Sequence, residues 1–326
     1  MAAKIRMNEA FAASLEPLMP KSEPWLIAVS GGLDSMVLLH FLKNAGYRAL
    51  TVCHVNHQLR GRESDLDAAF VAAAAAEQGV DFEGETVDVR SAVVDQKSSI
   101  EAAARDLRYA ALAAIAARRQ CPNLVTAHHA DDQVETILMN LFRGSGERGL
   151  SGMDVKSSRE IDGTALNIFR PLLSVTREEL ETYASENEIS FREDESNFDD
   201  FALRNRVRNT LMPVLGEVFE RDVRGSILRA AERARINEAW MAGEEGGIPA
   251  KENGVDVSVL RAMAPGRRDR ILLRWLRESG VPDCGGAEVS RLAELLLSDE
   301  RPAKVNLPND VHARRRAGVL FLEFPP

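Results

Sequence analysis

The stretch WLIAVSGGLDSMVLLHF, residues 25–41, constrains the fold more than any other part of the chain. An apolar run ends at Val29, Ser30-Gly31-Gly32 follows, and a second apolar run at helical spacing starts at Met36. That pattern is a buried strand, a glycine turn and a helix. Two adjacent glycines let backbone N–H groups face an anion without Cβ crowding, and the helix dipole favours negative charge there. Ser30 and Ser35 add hydroxyl donors. Yet the turn has no lysine, and Asp34 stands at the helix start. A carboxylate repels bare phosphate. It has a use if it holds Mg2+, which prefers one or two carboxylates and bridges phosphate oxygens. The expected ligand of Ser30, Gly31, Gly32, Leu33, Asp34 and Ser35 is therefore a Mg-bound pyrophosphate leaving group, with the bond broken at the α-phosphate.

The first half of the chain alternates strand-like runs with longer helical ones. WLIAVS, ALTVCHVNH, the weaker EGETVDV and NLVTAHH read as strands. Residues 34–44, 63–78 and 99–119 read as helices, alanine-rich in places. Repeated strand–helix–strand units imply a Rossmann-like parallel sheet with helices on both faces, an α/β fold. Ligands then bind at the carboxyl ends of the strands, where Ser30, His54 and His128 fall. ADDQVETILMNLF is a further helix, RGSGERGLSGM a glycine-rich loop, and IDGTALNIFRPLL a hairpin or final strand. Thr176 and Glu179 fit a capping box. AGEEGGIPAKENG reads as a loop, RRDRILLRWLRESG and GAEVSRLAELLLSDE as helices, and the C-terminus as short strands. The shift predicts two domains, residues 1–215 and a smaller α-rich or α+β domain over 216–326.

Net charge is −9, which argues against a protein that coats nucleic acid by bulk charge. The segment from Gly216 holds about 18 basic and about 18 acidic residues, so the acidic excess lies wholly before it. Nearly all those bases are arginine, suited to forked phosphate contacts. The three cysteines, Cys53, Cys121 and Cys284, are far apart and form no C-x-x-C pair. They read as small hydrophobes, not as a zinc or iron–sulfur site or a disulfide framework. The N-terminus lacks a secretory apolar core, and no window approaches ~18 apolar residues. A cytoplasmic protein with no membrane association is expected.

The SGGLDS string resembles the PP-loop of the N-type ATP pyrophosphatases. Within that group, HVNHQLRGRESDLD from His54, EAAARDLRYAAL from Glu101, TAHHADDQVETILMNLFRGSGERGLSGM from Thr126, RPLL from Arg170 and DESNFDDFALRNRVRNTLMP from Asp194 resemble the tRNA(Ile)-lysidine synthetase family. The C-terminal KVNLPNDVHARRRAGVLFLE resembles that family's first C-terminal domain, and a further domain carried by some members is not expected here. The resemblance implies ATP and Mg2+ as co-substrate and cofactor. It implies as partners free L-lysine and an isoleucine tRNA with a CAU anticodon, with a homodimer left open. The implied reaction adenylates O2 of the wobble cytidine, releases pyrophosphate, and lets lysine's ε-amine displace AMP from C2. Decoding then changes from AUG to AUA.

With that reaction in view, His54 and Asn56 are expected to border the nucleotide, and His57, Arg108 and His128 the tRNA nucleotide. Arg105 or Arg108 is expected to clamp phosphate or the flipped base, with Arg105 counted among the catalytic residues. Asp132 and Glu135, one helical turn apart behind His128, His129 and Asp131, are expected to share three roles: a second Mg2+ contact at Asp132, orientation of lysine's ammonium, and base catalysis. Arg143, Arg148, Arg204, Asn205 and Arg208 are expected on the tRNA backbone, and Arg314–Arg316 as a further phosphate patch. A thiolase would need a relay cysteine or cluster, an amide ligase of the glutaminase type a second nucleophile motif, and a nucleotide-binding regulator fewer acids beside the loop.

Overall fold

The structure, a computed structural model, describes residues 7–59, 61–96, 100–192, 203–244, 246–282, 284–298 and 304–325, with the side chains of 94–96 and 101 excluded. The DESNFDD stretch, residues 194–200, and the Glu101 side chain thus lie outside the described residues. The chain divides into two compact units, residues 1–136 with 153–228, and 137–152 with 229–326. The cut read from composition, after residue 215, lies within the first unit.

The first unit begins with α1 (Glu9–Leu15), capped by the Asn8 side chain, which accepts from the Phe11 N–H at 3.0 Å. Each run read as a strand forms one: β1 (Trp25–Ala28), β2 (Leu50–Asn56), β3 (Asp81–Thr86) and β4 (Asn123–Val125). The crossovers are α2 (Leu33–Asn44), α3 (Arg62–Glu77), and α4 (Val89–Gln96) with α5 (Ile100–Arg119). Then come α6 (Ala130–Phe142), whose later half with α7 (Glu147–Leu150) belongs to the second unit, and, again in the first, β5 (Lys156–Ile161), β6 (Thr164–Phe169) and α8 (Arg177–Glu186). The strand order is β3-β2-β1-β4-β6-β5, parallel except for the β5–β6 pair.

β1 is apolar throughout because both its faces are covered, as in other parallel sheets. Its alternation feeds two cores. Ile27 packs in one cluster with Val37 and Leu38 of α2, and Leu26 in another with Leu112 and Ile115 of α5. Ala103, Ala113 and Ala116 are buried on α5, so the alanine content serves close packing. From β1 the chain builds outward through β2 to β3, then returns to β4 on the other side. Strand order therefore reverses between β1 and β4, which opens a crevice beyond their carboxyl ends.

The segment IDGTALNIF is a hairpin, turned by Asp162 and Gly163 at φ 50° and 77°. Its first strand, β5, has no apolar signature because it is a largely exposed edge. The Thr176–Glu179 capping box is present. After it come α9 (Leu203–Arg206), a π-helical turn (Val207–Leu211), α10 (Met212–Phe219) and α11 (Arg224–Glu244). None of the described helices is long and apolar enough to cross a membrane.

The second unit has β7 (Ala250–Lys251), β8 (Gly254–Asp256), α12 (Val257–Ala262), α13 (Pro265–Glu278), α14 (Gly286–Leu297), β9 (Lys304–Asn306), β10 (His312–Arg316) and β11 (Val319–Glu323). The strands form an antiparallel sheet ordered β7-β8-β11-β10-β9. Leu260, Leu272, Leu276, Leu292, Leu296 and Leu320 make its core. The stretch read as loop thus contains a two-residue strand and the end of α11. The pleat also divides the Arg314–Arg316 run. Arg314 pairs with Glu323 at 2.6 Å, Arg315 donates to the Leu296 carbonyl at 3.3 Å, and only Arg316 is fully exposed. The expected three-arginine patch does not form, because neighbouring residues on a strand face opposite ways.

Gly254 packs where a Cβ would collide with the Leu320 carbonyl oxygen across the β8–β11 pairing. Gly254→Ala should lower the stability of the second unit by about 1–3 kcal/mol, the range for overpacking. Urea denaturation followed by tryptophan fluorescence checks this, since Trp275 lies in that core; an unchanged midpoint would contradict the packing.

Candidate active site

The glycine turn sits where β1 hands over to α2. Gly31 has φ 96°, and a Cβ there would press on Val71 Cγ2 at 3.2 Å, so only glycine fits without strain. Gly32 has an ordinary φ of −76° and a Cβ there would touch nothing closer than 3.6 Å. Its N–H donates to Ser30 Oγ at 3.3 Å, so it takes part in the turn's own hydrogen bonding. Ser35 is buried, and its Oγ accepts from the Ser30 and Gly31 N–H groups at 3.1 and 3.3 Å while donating to the Gly32 carbonyl at 3.0 Å. Ser35 therefore shapes the loop, and the more exposed Ser30 hydroxyl bridges Ser35 Oγ at 3.2 Å.

Asp34, in the first turn of α2, faces the start of α6. His129, 2% exposed, lies between three carboxylates: Asp34 Oδ2 at 3.6 Å, Asp132 Oδ2 at 3.5 Å and Asp131 Oδ2 at 3.5 Å. The His129 backbone N–H also donates to Asp132 Oδ2 at 3.0 Å. Burial alone would lower the proton affinity of His129, but the three carboxylates together raise it. Arg177 closes the cluster. Its guanidinium donates to Asp34 Oδ1 and its backbone N–H to Asp131 Oδ2, each at 2.9 Å. Arg224 pairs with Asp131 from the other side at 2.8 Å.

Burial and partners push these carboxyls in opposite directions. Burial raises Asp34 despite His129 and Arg177, and raises Glu135 despite Arg208. Asp131 and Asp132 are also penalised by burial, but His129 and backbone hydrogen bonds outweigh that, holding Asp131 at about 2 and Asp132 below the usual range. Asp132 and Glu135, one turn apart, are thus shifted in opposite directions, Asp132 down and Glu135 up. Arg204 and Arg208 both turn onto Glu135: Arg208 Nε is 2.6 Å from Oε1 and Arg204 Nε 3.2 Å from Oε2. Arg208 also reaches Asp132 Oδ1 at 3.4 Å. A π-helical turn carries Arg208, a distortion often kept at functional sites.

Two cavities meet at Ser30 and Asp34. The first, of 440 Å³, is lined by His54, His57, Arg108 and His128 among others. Its imidazoles are neutral. His54 Nδ1–H donates to the Val29 carbonyl at 2.9 Å, and burial lowers its proton affinity. Burial takes His128 down to about 3, and burial with Arg108 and His54 takes His57 to about 4. The second, of 710 Å³, is lined by Asp34, Asp131, Glu135, Arg177, Arg208 and Arg224 together with the apolar Leu33, Val134, Phe191 and Met212.

Of the residues expected from sequence, Ser30, Gly32, Leu33, Asp34, Ser35, His54, Asn56, His57, Arg108, His128, Asp132, Glu135 and Arg208 line these cavities. Asn56 does so with its amide committed to Asp65 Oδ1 at 2.9 Å and to the Gln58 N–H at 2.9 Å. Arg105 is exposed and lines neither. Arg204 and the half-buried Asn205 lie on α9, Arg204 facing Glu135. Arg143 and Arg148 are exposed residues of the second unit. Sequence reasoning chose His128 over His129 as the functional histidine and passed over Arg177. The i, i+3 spacing of His129 and Asp132, with acid returning to the cap position, is a local signal for the first. Arg177 has none, being 143 residues from its partner.

Because the folded protein holds His57 neutral and the unfolded chain titrates near 6.5, stability is full above pH ~6.5 and falls as the pH drops toward 4. The contribution is at most about 1.4 kcal/mol per pH unit. The urea midpoint of His57→Gln should fall less steeply than that of the native protein between about pH 6.5 and 4.5. Equal slopes would mean the imidazole is not held neutral.

Comparison with known proteins agrees with this geometry. Residues 3–215 match the PP-loop domain family, and residues 256–321 the TilS substrate binding domain. The chain is 35% identical to the tRNA(Ile)-lysidine synthase of Chlorobaculum tepidum, over 86% of this chain and 85% of that one. It is 34% identical to that of Streptomyces coelicolor, over 94% and 87%. It also matches the bifunctional protein TilS/HprT of Listeria monocytogenes at 32%, spanning 48% of it. Among solved structures, the U34-tRNA thiolase NcsA of Methanococcus maripaludis superposes with a TM-score of 0.55 at 18% identity, over 69% of this chain and 77% of that one, a likeness of fold. With a PP-loop at the β1–α2 turn, an acid cluster at the strand-order reversal and two domain matches in the family's order, the chain belongs to the tRNA(Ile)-lysidine synthase family.

Proposed function

We propose that this protein joins free lysine to C2 of the wobble cytidine of a CAU-anticodon tRNA(Ile), at the cost of ATP, through an adenylated cytidine. The observation that carries the reading is the convergence of Asp34 and Asp132 on one side of the glycine turn, each with Oδ2 within 3.6 Å of His129 Nε2. The first step forms a bond from cytidine O2 to the α-phosphorus and breaks the α–β bridging bond, releasing pyrophosphate. The N–H groups of the first turn of α2, which have no intrahelical partners, and the α2 dipole take up the charge that develops on that leaving group. In the second step lysine's ε-amine adds to C2, the C2–O2 bond breaks and AMP departs. Adenylation makes the oxygen a good leaving group, so one hard substitution becomes two easier ones.

Mg2+ fits the site by donor chemistry. Two carboxylates converge beside a phosphate-facing turn, which matches an ion held by one or two acids and its phosphates. No group of three or more described His, Cys, Asp or Glu residues is spaced to hold a metal. Asp34 and Asp132 would hold the ion, which when bound neutralises phosphate charge. Glu135, with its raised proton affinity, takes the proton from lysine's ammonium, while Asp131 and Asp132 keep that cation oriented. Thiolation has no support here. Cys53 lines the first cavity, but burial drives its thiol up to about 12, where it is a poor nucleophile. In this reading the neutral, arginine-rich residues from 216 onward dock the tRNA body, and the protein works in the cytoplasm.

Two variants separate the steps. Asp34→Asn should abolish ATP–pyrophosphate exchange. Glu135→Gln should retain tRNA-dependent exchange yet form lysidine at least ~10²-fold more slowly, the low end for a lost acid–base group. Full exchange by folded Asp34→Asn, or equal loss of both steps in Glu135→Gln, would overturn the assigned roles.

A further inference from the structure

We propose that Arg105, Arg108 and Arg159, fanned around Tyr109, form a seat for the sugar–phosphate backbone of the anticodon arm, beside the cavity that receives the reacting nucleotide. The proposal rests on the tRNA reading above and adds where on the first unit the RNA lies.

Tyr109 of α5 is 2% exposed, so its ring is a scaffold and offers no face for a base to stack on. Three guanidinium carbons lie over that ring: Arg159 at 4.8 Å, Arg105 at 5.2 Å and Arg108 at 5.6 Å. Arg105 and Arg108 sit on α5 and Arg159 comes across from β5. A fourth, Arg170, lies 7% exposed against the same residue, hydrogen-bonded to the Tyr109 side chain. Arg170 also donates to the Asp154 carbonyl at 2.9 Å and Ser157 Oγ at 3.0 Å, and its buried Nε has no hydrogen-bond partner among the described residues. None of the four forms an ion pair with a described carboxylate.

The contrast with the rest of α5 is informative. Arg118 and Arg119, at its end, are each neutralised by acids of β3, at distances of 2.6–3.0 Å to Glu83, Glu85 and Asp81. In a chain of net charge −9, one helix thus has a balanced end and an end where cations crowd onto a ring. Cation–π attraction holds guanidiniums in place but does not remove their mutual repulsion. An anion does. Arg108 lines the first cavity, while Arg105 and Arg159 are exposed, so the charge runs from the cavity outward. A small anion would use only the inner part of that run. A chain of phosphates entering with its nucleotide in the cavity uses all of it, and guanidinium forks match phosphate oxygens.

The test is binding of a short RNA hairpin with the CAU anticodon loop to the full-length protein, measured at several salt concentrations. Arg105→Glu/Arg159→Glu changes two exposed side chains; unchanged Mg-ATP affinity confirms its fold. Its hairpin affinity should drop at least ~10-fold, and its log–log salt slope should become shallower by about 2, near one for each phosphate that is no longer neutralised. The Arg105→Lys/Arg159→Lys pair should keep most of the slope. Native affinity and slope in the charge-reversed protein would overturn the proposal. So would failure of the native protein to bind the hairpin while it still modifies whole tRNA. Absence of lysidine from whole tRNA would instead sink the underlying reading of function.

Discussion

The buried ring of His129 ties together three helix starts. Its neighbours within 3.6 Å are Asp34 from the first turn of α2 and Asp131 and Asp132 from the first turn of α6. Arg177, at the start of α8, bonds Asp34 through its side chain and Asp131 through its backbone. All three helix N-termini favour negative charge, which is why acids collect there. Acids so close would repel one another without a cation; Arg177 supplies one, and the carboxylates in turn raise the proton affinity of His129.

The two cavities share Ser30, Asp34 and Asp67 and differ in the rest of their lining. On one side of Asp34 the cavity presents imidazoles that burial keeps neutral, His54, His57 and His128. On the other, carboxylates and guanidiniums line the wall. An uncharged base and ribose suit the first environment. An ammonium substrate and a phosphate leaving group suit the second. Asp34 borders both cavities.

Much of this was legible in the sequence because it is encoded locally. The apolar β1 run, the two glycines and Asp34 are contiguous, so strand, turn and helix follow from spacing alone. His54 and His128 end strands of a parallel sheet, and that places them at the ligand end. The remainder depends on pairing between distant segments. Arg204 and Arg208 read as a basic helix face, and only the tertiary fold shows them turned onto Glu135. Arg314–Arg316 read as one patch, but a strand's pleat sends Arg315 to a helix carbonyl. β5 was illegible because an exposed edge strand needs no apolar alternation. Arg159, which completes the cluster on Tyr109, sits on that strand.

The central claim is that these groups perform an adenylation followed by attack of lysine. It is tested most directly by nucleoside mass analysis of CAU-anticodon tRNA(Ile) incubated with the protein, ATP and isotope-labelled lysine. The wobble cytidine should gain the mass of labelled lysine less one water, with AMP and pyrophosphate formed in equal amounts. With lysine omitted, pyrophosphate release and an AMP-bearing cytidine are expected. An unmodified wobble cytidine, or a sulfur-bearing one, would contradict the claim.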